Sequence, residues 1–120
     1  MTDNNIKGRL ALITGASGGI GAACARDLAI RGLHLALTYW KNKNALLDVV
    51  SKIRALTPET SKLRISIHQV DLSQVDQITR LFDEIRDHHH KHIDILVSNA
   101  GYGKRIVNIW YETTRDKIIR

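Results

Sequence analysis

The chain has 120 residues, 43% apolar and 25% charged, with one proline and one cysteine, and its 18 Lys and Arg against 12 Asp and Glu leave a formal charge of +6. That is the balance of an ordinary soluble domain with one core, and it excludes a disordered or low-complexity chain. Apolar runs such as Leu10 to Ile13 and Leu33 to Trp40 are far shorter than the roughly 20 residues of a bilayer span, and the cations are scattered, so neither a membrane nor a nucleic-acid partner is expected.

In chain order, short β-like apolar runs alternate with longer helical stretches, the pattern of stacked βα units on a parallel sheet. Arg9 to Thr14 reads as a first strand that ends in the glycine-rich segment Gly15 to Gly21. A helix follows, with Ile20, Cys24, Leu28 and Arg31 at helical spacing and Gly32 as its stop. His34 to Tyr39 is a second strand, apolar throughout because a central parallel strand is covered on both faces. Asn42 or Asn44 caps a helix running through Leu47, Val50 and Ile53 to about Leu56, before Pro58. Leu63 to Val70 alternates apolar and polar residues through Leu63, Ile65, Ile67 and Gln69 and reads as a third strand nearer the edge. Ser73 with Asp76 resembles a capping box for a third helix with the stripe Val75, Ile78, Leu81, Phe82 and Ile85. Ile93 to Val97 is a fourth strand, followed by Ser98-Asn99-Ala100-Gly101, a loop with Tyr102 to Lys104, and a helical start near Thr113.

The segment Thr14-Gly15-Ala16-Ser17-Gly18-Gly19-Ile20-Gly21 lies between a strand and a helix, the context in which a glycine pattern binds phosphate. Gly15 permits the turn, Gly19 lets backbone N–H groups approach a pyrophosphate, and Gly21 lets the helix pack close to the sheet. The helix start then offers N–H groups and a partial positive charge. Ala22 and Ala23 follow the last glycine where a P-loop would have Lys and Ser or Thr, so a P-loop is excluded.

These residues resemble the short-chain dehydrogenase/reductase family, whose Thr-Gly-x-x-x-Gly-x-Gly is matched by Thr14, Gly15, Gly19 and Gly21. Asp71 in Val70-Asp71-Leu72 matches the family's Asp against the adenine ring, and Ser98-Asn99-Ala100-Gly101 matches its Asn-Asn-Ala-Gly with Ser first. The resemblance implies an α/β Rossmann-type doubly wound parallel sheet of strand order 3-2-1-4, with residues 1–120 forming one NAD(P)-binding domain. It implies an oxidoreductase that interconverts a small-molecule carbonyl and alcohol by hydride transfer, and cofactor contacts at Gly15, Ser17, Gly18, Gly19, Ile20, Gly21, Tyr39, Lys41, Asp71, Leu72, Asn99, Ala100 and Gly101. NAD-selective members carry an acid at the end of strand 2; that position is Tyr39 here, with Lys41 and Lys43 beyond, so NADP is expected over NAD. The family commonly forms dimers and tetramers, which admits a homo-oligomer.

The family's catalytic Ser and Tyr-x-x-x-Lys lie after its fifth strand, and no such region precedes Arg120, so the domain is expected to be incomplete at its C-terminus and inactive alone. The alternative is a non-catalytic module that holds nucleotide or pairs with a relative. Tyr39 with Lys43 has the Tyr-x-x-x-Lys spacing, but after strand 2, far from where the nicotinamide would react. His88-His89-His90-Lys91-His92 has the look of a metal tract and reads as a solvated connection, while His34 and His68 read as structural. Trp40 could cover the adenine, and Trp110 would pack on the last helix. A lone Cys24 in a helical pattern and a polar N-terminus without signal features give a cytoplasmic expectation.

Overall fold

The computed structural model describes residues 6–58 and 62–99. The apolar runs become four strands, β1 (Leu10–Ile13), β2 (His34–Tyr39), β3 (Ile65–Gln69) and β4 (Ile95–Val97). The helices α1 (Gly19–Ile30), α2 (Lys43–Leu56) and α3 (Val75–His89) separate them. All pairings are parallel and the order is β3-β2-β1-β4, as the alternation and the resemblance imply. In register, Leu10 faces His34, Leu35 faces Ile65 and Ala11 faces Ile95. Asp94 fixes the start of β4: its N–H donates to the Leu10 carbonyl at 2.9 Å, and its Oδ2 accepts from the Leu10 N–H at 3.0 Å.

Every β1 side chain is buried because both sheet faces are covered. Ala11, Ile13, Leu35 and Leu37 pack under α1 and α2, whereas Leu10, Leu12 and Ala36 pack under α3 with Ile78, Leu81 and Ile85. No helix of the described residues is long and apolar enough to cross a membrane.

Several local expectations are corrected. The buried face of α1 consists of Gly21, Ala22, Ala25 and Ala29, not the Ile20-Cys24-Leu28-Arg31 line; Ile20 is 72% exposed. Small side chains bring the helix axis close to the sheet, so that its large residues are displaced to the flank, where Cys24 and Leu28 are half-buried. In α2 Ile53 is buried as expected, but the other core residues are Leu46 and Val49, each one residue before the expected Leu47 and Val50, and Leu47 is exposed. No Ser73–Asp76 capping box forms: α3 begins after Gln74, and the Ser73 N–H and hydroxyl both donate to Asp71 Oδ1, at 3.0 and 2.7 Å. Val75, expected in the α3 stripe, is exposed.

β3 lies at the sheet edge, as its alternation implies. Ser66 and His68 are the buried side chains, while Ile65 and Ile67 are half-buried beneath the α1–α2 layer. The polar side is turned inward because α3 supplies hydrogen-bond partners for it. The histidine tract is a solvated connection only in part: His88, His90, Lys91 and His92 are exposed, and His89 alone of its residues is buried. α3 extends through His89, which is buried against β3, and His90 ends it in the left-handed region at φ +56°. Among the described residues no group of three or more His, Cys, Asp or Glu could hold a metal.

Candidate functional site

The sheet order reverses between β1 and β4, and the chain there is laced across three strand ends. Thr14, buried at the end of β1, donates its N–H to the Val97 carbonyl at 3.0 Å and accepts at Oγ1 from the Asn99 N–H at 2.9 Å. Asn99 Nδ2 donates to the Gly15 carbonyl at 3.1 Å. On the other side the Gly15 N–H donates to Thr38 Oγ1 at 3.2 Å and the Ala16 N–H to the Thr38 carbonyl at 3.1 Å. The glycine turn is thus anchored to β4 through Thr14 and Asn99 and to β2 through Thr38.

Gly15 and Gly19 lie at φ +64° and +60°, where a side chain is strained, so the turn needs glycine at both. A Cβ on Gly18 or Gly19 would meet nothing within 4 Å, so both backbones border open space at the start of α1. Gly21 differs: a Cβ there would stand 2.4 Å from the Gly15 carbonyl oxygen and 2.9 Å from Asn99 Nδ2. Its role is close approach of helix to turn. Beside the turn, Gly15, Ser17, Thr38 to Asn42 and Val70 to Leu72 line a cleft of about 360 Å³.

Asp71 stands on the cleft wall between β3 and α3. Its Oδ1 takes both Ser73 hydrogen bonds, which hold the carboxyl below the usual carboxylate range, the hydroxyl first and the backbone N–H second. Its N–H donates to Gln77 Oε1 at 2.8 Å. The opposite wall follows β2: the Val70 N–H donates to the Tyr39 carbonyl at 3.0 Å, and Gln69 Nε2 donates to the Trp40 carbonyl at 3.1 Å.

Of the residues singled out in the sequence, Gly15, Ser17, Tyr39, Lys41, Asp71 and Leu72 line this cleft, and Trp40 joins them. Gly18, Gly19, Ile20 and Gly21 form the cap and first turn of α1 beside it, and Asn99 braces the turn from β4. Ala100, Gly101, Tyr102 and Trp110 lie outside the described residues. Lys43 begins α2 and is not among the lining side chains. Thr38 is the residue that motif reading missed. A hydroxyl inside an otherwise apolar buried strand was the available signal. Thr38→Val should destabilise the fold by about 1–3 kcal/mol by leaving the Gly15 N–H without its acceptor, an effect read from denaturant midpoints.

The short chain dehydrogenase family model matches residues 9–119. The chain belongs to the short-chain dehydrogenase family. Among its relatives is the hydroxynaphthalene reductase-like protein Arp2 of Metarhizium anisopliae, 36% identical over 100 residues, which are 83% of this chain and 35% of that protein. A metagenomic short-chain oxidoreductase solved in complex with NADP is 36% identical, with a TM-score of 0.70 over 82% of this chain and 41% of that one. The L-sorbose reductase of Gluconobacter frateurii, solved with NADPH and L-sorbose, is 30% identical, with a TM-score of 0.71 over 86% of this chain and 37% of that one. The chain therefore spans well under half the length of these short-chain dehydrogenase relatives.

Proposed function

We propose that residues 1–120 form an NAD(P)-binding domain that supplies the NADP(H) platform of a short-chain oxidoreductase acting on a small-molecule ketone or alcohol. The observation that carries this reading is the cleft itself, which joins the glycine turn, the end of β2 and the Asp71 wall in one continuous surface. The residues fit a dinucleotide. The open backbone at Gly18 and Gly19, with the first N–H groups of α1, suits a pyrophosphate. Val70, Asp71 and Leu72 suit the adenine, and Tyr39 with Lys41 stands where the adenosine ribose would be read. When bound, the nicotinamide supplies or accepts the hydride. What this chain contributes is binding and orientation, with Asn99 and Thr38 keeping the turn in place from either side.

The preference for NADP rests on Lys41 in the cleft and on the absence of a carboxylate at the end of β2, where Tyr39 stands. The solved relatives that hold NADP or NADPH support a nicotinamide dinucleotide as the ligand of the cleft. A charge-assisted hydrogen bond to the 2′-phosphate is worth about 1.5–3 kcal/mol, or roughly ten- to a hundredfold in affinity. In fluorescence titrations NADPH should bind that much more tightly than NADH, and Lys41→Ala should remove the difference while leaving NADH affinity unchanged. Equal affinity for the two in the unaltered chain would overturn the assignment. NADPH oxidation with a panel of ketones and quinones, compared between this chain and one extended to carry the family's Ser and Tyr-x-x-x-Lys, tests the reaction class.

A further inference from the structure

Between β3 and α3 runs a seam of polar contacts that ends at the cleft. Gln77, Arg80, Glu84 and His88 stand three or four residues apart on one face of α3. Gln77 Oε1 accepts from the Asp71 N–H, and Arg80 donates to the Gln69 carbonyl at 2.8 Å and to Glu84 Oε2 at 2.7 Å. Glu84 Oε1 lies 2.9 Å from His68 Nδ1, and at the far end Arg64 donates to the His88 carbonyl at 2.9 Å. In the middle, Ser66 Oγ lies 2.6 Å from His68 Nε2 and 2.8 Å from His89 Nε2.

With Glu84 ionised and both imidazoles neutral, these contacts are satisfied by one direction of donation. The Glu84 carboxyl sits below its usual range: burial works against this, and the His68 and Arg80 hydrogen bonds together outweigh it. As an ionised carboxylate it only accepts, so His68 carries its proton on Nδ1. His68 Nε2 then accepts from the Ser66 hydroxyl, and Ser66 Oγ accepts from the His89 Nε2–H. His89 Nδ1 is left as a buried lone pair with no hydrogen-bond partner among the described residues. The relay is complete with both imidazoles neutral. A further proton on His89 Nδ1 would be a buried N–H with no acceptor, and one on His68 Nε2 would reverse the relay, turning the Ser66 hydroxyl onto His89 Nε2 and forcing the His89 proton onto that same unpartnered Nδ1.

The surroundings oppose that proton. His68 and His89 both face His88 on α3; Arg80 on α3 also faces His68, and His34 on β2 and Arg64 before β3 face His89, with Glu84 the one carboxylate in the relay. The next contacts along the seam are those that hold Gln69 and Asp71, and Val70, Asp71 and Leu72 form the cleft wall.

We propose that this seam is a proton-sensitive clasp on the cofactor wall: protonation of the His68–Ser66–His89 relay loosens β3 from α3 and lowers affinity for the dinucleotide. The proposal rests on the cofactor reading of the cleft. NADH is the probe, because the 2′-phosphate of NADPH itself titrates near pH 6. Between pH 6.5 and 4 NADH affinity of the full chain should fall at least about twofold, His89 reaching half protonation near pH 4, and in His89→Phe the fall should disappear. An equal fall in His89→Phe, or no fall in the unaltered chain, would overturn the clasp while leaving the cofactor reading intact. No NADH or NADPH binding at pH 7.5 would sink the cofactor reading and the clasp with it. Nitrogen NMR of the unaltered chain needs no variant to fold: it should show His89 neutral and protonated at Nε2 at pH 6. An ordinary titration there, or a proton at Nδ1, would overturn the relay.

Discussion

Gly21→Ala should lower stability by about 3 kcal/mol, at the upper end of overpacking costs, and lower dinucleotide affinity by more than a hundredfold. Its Cβ would lie 2.4 Å from a backbone oxygen, Gly15 O, and 2.9 Å from Asn99 Nδ2, and neither is the loose end of a flexible chain. To relieve the clash, α1 must withdraw from the turn, which displaces its first N–H groups and breaks the Asn99 brace together. Gly18→Ala is the control. Gly18 is extended at φ −173° and its Cβ would meet nothing within 4 Å, so the fold should keep its stability to within about 0.5 kcal/mol, while the methyl intrudes where we place the pyrophosphate. Denaturant midpoints and NADPH titration together separate the two. Full binding in Gly18→Ala would remove the pyrophosphate from this position, and an unchanged midpoint in Gly21→Ala would show that helix and turn tolerate separation.

The contrast between those glycines also shows what the sequence carries. A turn that needs φ near +60° at Gly15 and Gly19, and contact at Gly21, can be built from few residue types, so the requirement appears directly as residue identity. The strand order followed from the βα alternation together with the resemblance, and β2 was delimited at both ends because Gly32 and the polar run after Trp40 bound it. Packing faces were less legible. Reading α1 by side-chain size selects Ile20, but the sheet takes up Ala22, Ala25 and Ala29, whose value is fit rather than bulk. Which side of β3 is buried was not legible, because its buried hydroxyl and imidazole depend on partners 23 and 16 residues away, His89 and Glu84, that no local pattern announces. Asp71 was read as a binding residue, and its hold on Ser73, which displaces the expected capping box, is a local competition that the sequence allowed but did not decide.

The buried relay predicts a loss of stability in mild acid. Burial, aided by neighbouring cationic and imidazole groups, pushes the His89 pKa down from 6.5 to about 4. Between those values the unfolded chain takes up a proton that the folded chain refuses, so the His89 contribution is fully present above about pH 6.5 and is lost as pH falls toward 4. Burial lowers His68 in the same direction, and His34 follows, with Lys91 and Arg64 adding to its burial. At about 1.4 kcal/mol per pKa unit, His89 alone should cost roughly 2–3 kcal/mol over this window after allowance for screening. Asp71 and Glu84, both held low, add their losses further down, below the ordinary carboxylate range. The order of events is therefore set by the imidazoles first and the carboxylates second. Urea unfolding at half-unit steps from pH 7.5 to 4.5 should show stability declining from just below pH 7, and His89→Phe should reduce proton uptake on unfolding near pH 5.5 by about one. A flat profile down to pH 5, or an unchanged slope in His89→Phe, would mean that the imidazole takes its proton in the folded chain, and that the Ser66 bridge does not depend on a neutral ring.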